Sequence, residues 1–80
     1  VKRQDLRRIV ADVLEIDPDL LAPEAVLGEF ENYDSVTVLS LMVELDEKAG
    51  VRLAPMDIAK LQSYGDIEEL ARKQGVELSD

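Results

Sequence analysis

The chain has 80 residues and a net charge of −9, with neither cysteine nor histidine, so residues 1–80 read as a single small domain that lacks disulfides, thiolate metal sites and Ser-His or Cys-His dyads. The acidity excludes nucleic acid and anionic membranes as partners. No apolar run approaches the roughly 20 residues of a membrane span and no signal-peptide pattern opens the chain, which predicts a cytoplasmic location without membrane insertion. Charge is uneven: Lys2, Arg3, Arg7 and Arg8 surround a single acid, Asp5, whereas Ile9 to Glu47 holds many acids and no base. Such a surface steers basic partners toward one region.

Leu6, Ile9, Val10, Val13 and Leu14 recur at helical spacing and predict a first amphipathic helix that ends at Asp17-Pro18. Residues 17 to 34 carry Pro18, Pro23 and Gly28 without periodicity and read as a long loop, pinned to the core by Leu20, Leu21, Val26, Leu27 and Phe30. A second helix is predicted from about Ser35 to Lys48. Its polar stripe (Thr37, Ser40, Glu44, Glu47, Lys48) is narrow, so a central helix packed on more than one side is expected. Gly50 stops it. Ala54-Pro55 starts a short helix through Leu61, and Ser63 caps a last helix that buries Tyr64, Ile67, Leu70 and Ala71 before Gly75. The fold class is all-α: a small four-helix bundle, three main helices plus one short helix, with a long first loop.

Most chemical motifs fail. The glycines are isolated, so no phosphate-cradling loop is visible. Asp17 and Asp19 lack the central glycine and terminal glutamate of a calcium loop, and no metal site or catalytic residue is expected. Asp34-Ser35-Val36 is different, because it sits where the acidic loop meets the second helix. A hydroxyl there lies at the positive end of the helix dipole, where a phosphate ester would be favourably placed. Either Asp34 or Ser35 also suits the role of helix cap.

The chain resembles the acyl carrier proteins over roughly residues 5 to 75. Asp34-Ser35-Val36 takes the place of that family's Asp-Ser-Leu motif. Leu41 to Glu47 looks like its apolar-then-acidic second helix, Val51-Arg52-Leu53-Ala54-Pro55 like the lead into its third, and Ser63-Tyr64-Gly65-Asp66-Ile67 like the start of its fourth. The chain departs from the family at Asn32, which stands for a common glycine and also tolerates unusual backbone angles. Val36 replaces leucine, and Thr37 and Ser40 stand where acids are frequent. With Tyr33 before the motif, these departures point to a specialised carrier.

The resemblance implies a carrier and not an enzyme. A phosphopantetheinyl transferase would attach 4′-phosphopantetheine from coenzyme A to Ser35, with Asp34 positioning the serine. The arm's thiol would carry acyl groups as thioesters in fatty-acid, polyketide or related specialised biosynthesis. Val36, Glu44, Asp46 and Glu47 are the expected contacts of acyl-loading, synthase and acyltransferase enzymes with basic docking patches. Leu39, Met42, Val43 and Leu45 are expected mainly in the core, with an acyl pocket as their other role. A monomer is expected, and the absence of linker composition at the ends favours a free-standing protein. Two other readings remain: a peptidyl or aminoacyl carrier, against which Asp34 argues, and a cofactor-free helical interaction module in which Ser35 is only a cap.

Overall fold

A computed structural model describes residues 1–79. Among them lie four α-helices, α1 (Arg3–Leu14), α2 (Ser35–Ala49), α3 (Pro55–Lys60) and α4 (Tyr64–Lys73), as the all-α expectation requires. The long loop holds two single 3-10 turns, Pro18–Leu20 and Leu27–Glu29. No described helix is long and apolar enough to cross a membrane.

The first helix buries Leu6, Val10, Ala11 and Leu14 and ends before the proline. Glu15 turns left-handed (φ 57°, ψ 44°), and the Ile16 N–H returns to the Ala11 carbonyl at 3.0 Å, closing the helix end. Pro18 instead opens the next turn, where the Asp17 side chain accepts the Asp19 N–H at 2.9 Å. Of the five expected loop anchors, Leu21 and Leu27 are fully buried and Phe30 packs against the core, while Leu20 and Val26 are exposed. Each exposed residue precedes a buried one. Neighbours along the chain point to different sides, so only one of each apolar pair reaches the core.

The loop is also stitched to the start of α4. Leu27 donates to the Gln62 carbonyl, Tyr64 to Ala25 and Gly65 to Pro23, at 2.9, 3.0 and 2.9 Å. A Cβ on Gly65 would sit 2.8 Å from the Pro23 carbonyl oxygen, so this close backbone approach requires glycine. Asp66 completes the corner by accepting the Gln62 and Ser63 N–H groups at 2.9 and 3.1 Å, which also holds its carboxyl below the usual carboxylate range.

On α2, Leu41, Leu45 and Ala49 are buried, on the side that meets α1. The expectation of a helix packed on several sides does not hold: Val36, Leu39 and Val43 are 73%, 61% and 54% exposed. The six residues of α3 are too short a helix to cover a 15-residue one. Gly50 ends α2 with φ 70°, Val51 and Leu53 enter the core, and Pro55 opens α3, which ends at Lys60, one residue before the expected Leu61.

The last helix buries Tyr64, Ile67 and Ala71, with Leu70 half-buried. It also buries a charge. Glu68 is 2% exposed; its Oε1 lies 3.1 Å from Arg3 Nη2 and 3.8 Å from Arg72 Nη2. Arg7 lies over the Tyr64 ring, 5.9 Å from its centre. This polar cluster fastens α1 to α4. Beside it the chain ends meet: Arg3 N–H donates to the Ser79 carbonyl at 2.7 Å, and Ser79 N–H to that of Val1 at 3.1 Å.

Candidate functional site

The head of α2 follows from its sequence. Asp34 is the N-cap, in extended backbone (φ −135°, ψ −175°), and its Oδ1 accepts the Thr37 N–H at 2.9 Å. That bond first, then the Thr37 side chain, holds the Asp34 carboxyl below its ordinary range. Ser35 is therefore the first helical residue and not the cap, and its side chain is exposed. Capping by Asp34 leaves the Ser35 hydroxyl available at the helix's positive end.

The loop before the serine is held from α1. Asn32 donates its Nδ2 to the Leu14 carbonyl at 3.0 Å and to Glu15 Oε2 at 3.2 Å. Asn32 does not use the unusual backbone angles that residue type tolerates; among the described residues Glu15 is the non-glycine one with positive φ. Its side chain instead anchors the approach to Asp34. Tyr33 is half-buried, and burial raises its phenol above the ordinary tyrosine value.

A cavity of about 620 Å³ opens at the serine. It is lined by Tyr33, Asp34 and Ser35, by Val38, Leu39 and Met42 of α2, and by the apolar Pro55, Ile58 and Leu61 around α3. Two of the four side chains assigned mainly to the core, Leu39 and Met42, line this cavity. Val43 is exposed, and Leu45 alone of the four is fully buried. Sequence reasoning missed Pro55, Ile58 and Leu61 as cavity residues. Their signal was the short apolar helix itself, too small to be a core element in its own right.

The expected partner contacts divide. Val36 is exposed beside Ser35, as a docking residue must be. Glu44 is turned aside, paired with Lys48 at 2.7 Å, and that bond raises the lysine's pKa. Asp46 lies 3.8 Å from Arg52. Glu47 is exposed. Among the described residues no group of three or more acids converges as a metal site.

The domain thus presents an exposed serine at a helix head, beside an apolar cavity. The family model described as the phosphopantetheine attachment site matches residues 4–72. The chain is 34% identical over 64 residues to the acyl carrier protein of Thermosynechococcus vestitus, covering 80% of this chain and 79% of that one. It is 35% identical over 74 residues to the polyketide-8 synthase acyl carrier protein 2 of Streptomyces avermitilis, covering 91% and 85%. To the meromycolate extension acyl carrier protein of Mycolicibacterium aurum it is 28% identical over 68 residues, covering 85% and 70%. The chain belongs to the phosphopantetheine attachment-site family. Its role is that of an acyl carrier, not a catalyst, and its prosthetic group is phosphopantetheine.

The residues present fit that group. An exposed serine at a helix N-terminus offers an ester oxygen where negative charge is favoured. The adjoining cavity is walled by aliphatic side chains with room for a chain-like ligand.

Proposed function

We propose that Ser35 Oγ is the attachment point of 4′-phosphopantetheine and that residues 1–80 form one carrier domain for fatty-acid, polyketide or related specialised synthesis. The observation that carries this reading is the exposed Ser35 at N1 of α2, released from capping by Asp34. In the modification, the Ser35 oxygen attacks the phosphorus of coenzyme A that bears the pantetheine. A P–O bond to serine forms, the bond to adenosine 3′,5′-bisphosphate breaks, and the hydroxyl proton passes to a base of the phosphopantetheinyl transferase. The bound group supplies a terminal thiol that holds acyl cargo as a thioester.

This chain's residues hold and orient. Asp34 fixes the first turn of α2 through Thr37, so the serine leaves the helix in one direction. Asn32 ties the preceding loop to the end of α1. The α2 dipole favours a phosphodiester at Ser35 by roughly 0.3–1 kcal/mol. The acidic loop attracts basic partner enzymes, each exposed pair adding only about 0–1 kcal/mol. The cytoplasm is the compartment where such a carrier meets coenzyme A.

Intact-mass measurement with coenzyme A and a promiscuous transferase tests the assignment. One phosphopantetheinyl group is expected on the wild-type chain and none on Ser35→Ala. A modified Ser35→Ala chain would refute Ser35 as the site. A folded wild-type chain left unmodified in this reaction would point to a selective transferase; if the chain isolated from its native host also lacked the arm, the cofactor-free interaction module would replace this reading.

A further inference from the structure

We infer that Asn32 is a positioning residue for the reaction at Ser35: its carboxamide latches the segment ahead of the serine onto the C-terminal end of α1, and that latch sets the direction in which the Ser35 oxygen meets an incoming phosphorus. This rests on Ser35 as the attachment point and makes the end of α1 part of the presenting device.

An α-helix leaves its last carbonyls without a helical partner. At the end of α1 the turn itself takes two of them, through the Ile16 N–H on Ala11 at 3.0 Å and the Glu15 N–H on Asp12 at 3.3 Å. The Leu14 carbonyl is taken from outside, by Asn32 Nδ2 at 3.0 Å. The same nitrogen reaches Glu15 Oε2 at 3.2 Å, on the residue whose left-handed backbone ends the helix. A carbonyl and a carboxylate can only accept, so the amide must turn its NH2 toward them, and an acid of the same shape could not replace it. A glycine, the common residue at this place among acyl carriers, could form neither bond.

Three consecutive residues take hold of three places. Asn32 holds the end of α1, Tyr33 lines the cavity, and Asp34 caps α2 through Thr37. The Asp34 cap shapes the first turn of α2, but by itself it leaves the incoming chain free to swing about that turn. Asn32 holds the chain on the other side, two residues before the cap, so the serine enters the helix from a fixed direction. A shift of about 1 Å at a reacting group can cost about 100-fold in rate. Asn32 and Glu15 are both exposed, where water competes for the same bonds, so the latch adds little to overall stability. Its loss should therefore appear in the rate of modification before it appears in melting.

The test resolves kcat and KM for the folded chain in transferase-catalysed modification with saturating coenzyme A. Asn32→Asp keeps the side chain's shape but sets a carboxylate against the Leu14 carbonyl and the Glu15 carboxylate. It is expected to lower kcat about tenfold with KM within about twofold of wild type, and to speed hydrogen exchange at the Thr37 amide. Asn32→Ala, which removes the donor without adding repulsion, should lower kcat about threefold. Adding Glu15→Lys to Asn32→Asp gives the new carboxylate a cation and should restore part of the lost kcat. Gly65→Ala is the control for general destabilisation, since its methyl meets the Pro23 carbonyl; it should lower the melting temperature and keep the wild-type kcat. Wild-type kcat in both Asn32 variants, a loss confined to KM, an equal loss in Gly65→Ala, or a double variant no faster than Asn32→Asp overturns the inference while leaving Ser35 as the site. A wild-type chain that gains no arm, in this reaction or in its native host, removes both.

Discussion

The two ends of the molecule reverse the usual rule of burial. At the head of α2, Val36, Leu39 and Val43 lie in solvent, while beneath α4 the charged Glu68 is 2% exposed. The exposed stripe adds little to folding and adjoins Ser35, the proposed attachment point. The buried carboxylate sits far from that serine in the fold, where it joins Arg3 and Arg72 and so holds the first and last helices together. Stability and presentation are thus placed in different parts of one small body, and substitutions should separate them.

The largest separation is expected from Glu68→Ala. Removing one member of a buried charge cluster costs about 3–5 kcal/mol, toward the lower end here because Arg3 and Arg72 are partly exposed and can rehydrate. Val43→Asn should stay within about 0.5 kcal/mol of wild type. Urea denaturation of both measures the contrast, and equal losses would break it. Gly65→Ala comes next, at about 1–3 kcal/mol, since its methyl meets the Pro23 carbonyl, backbone that cannot swing aside. The same substitution at exposed Gly28, where an added Cβ meets nothing within 4 Å, should cost less.

A smaller effect is expected at the caps. Asp34 and Asp66 have carboxyls held below their ordinary 3.8 by backbone N–H groups. A depressed native pKa means the unfolded chain binds more protons, so each contribution is present above about pH 4 and disappears as pH falls through the native value. Asp34→Asn and Asp66→Asn should therefore flatten the acid limb of a stability profile and leave its slope near neutrality unchanged. Asp34→Asn should also slow modification of Ser35, an effect that Asp66→Asn lacks.

Much of this was legible in the sequence. The four helices, Gly50, Pro55 and the Ser63 corner follow from spacing and local backbone chemistry, and Asp34-Ser35 lies at the head of α2 as the sequence predicts. What escaped was which apolar residues face water. Periodicity gives a face but not what covers it, so the wide apolar arc of α2 read as core although part of it is surface. Glu68 escaped for the opposite reason. Its type argues for solvent, yet its spacing from Tyr64 and Ala71 places it on the buried face, and Arg3 and Arg7, four residues apart on α1, are the complementary signal. Asn32 was judged by its backbone tolerance, whereas its side chain reaches a carbonyl 18 residues earlier, a contact no local pattern encodes.

The smallest effect is the most selective probe of the buried end. Tyr64 is fully buried, and burial first, then the charge of Glu68, pushes its phenol well above 10, with Arg7 partly opposing. A raised native pKa means the native state keeps a proton that the unfolded chain releases. The stabilisation is therefore complete below pH 10 and is lost as pH rises from there toward the native value. Tyr64→Phe should match wild type near neutrality, apart from the lost polar atom, and should decline less steeply above pH 10. Tyr33, raised by burial at the serine end, is the internal comparison: Tyr33→Phe should show the same sign with a shallower difference, because Tyr33 is only half-buried and lacks the added charge that Glu68 sets beside Tyr64. If the two variants declined alike, neither the deeper burial of Tyr64 nor its neighbour Glu68 would hold the phenol proton.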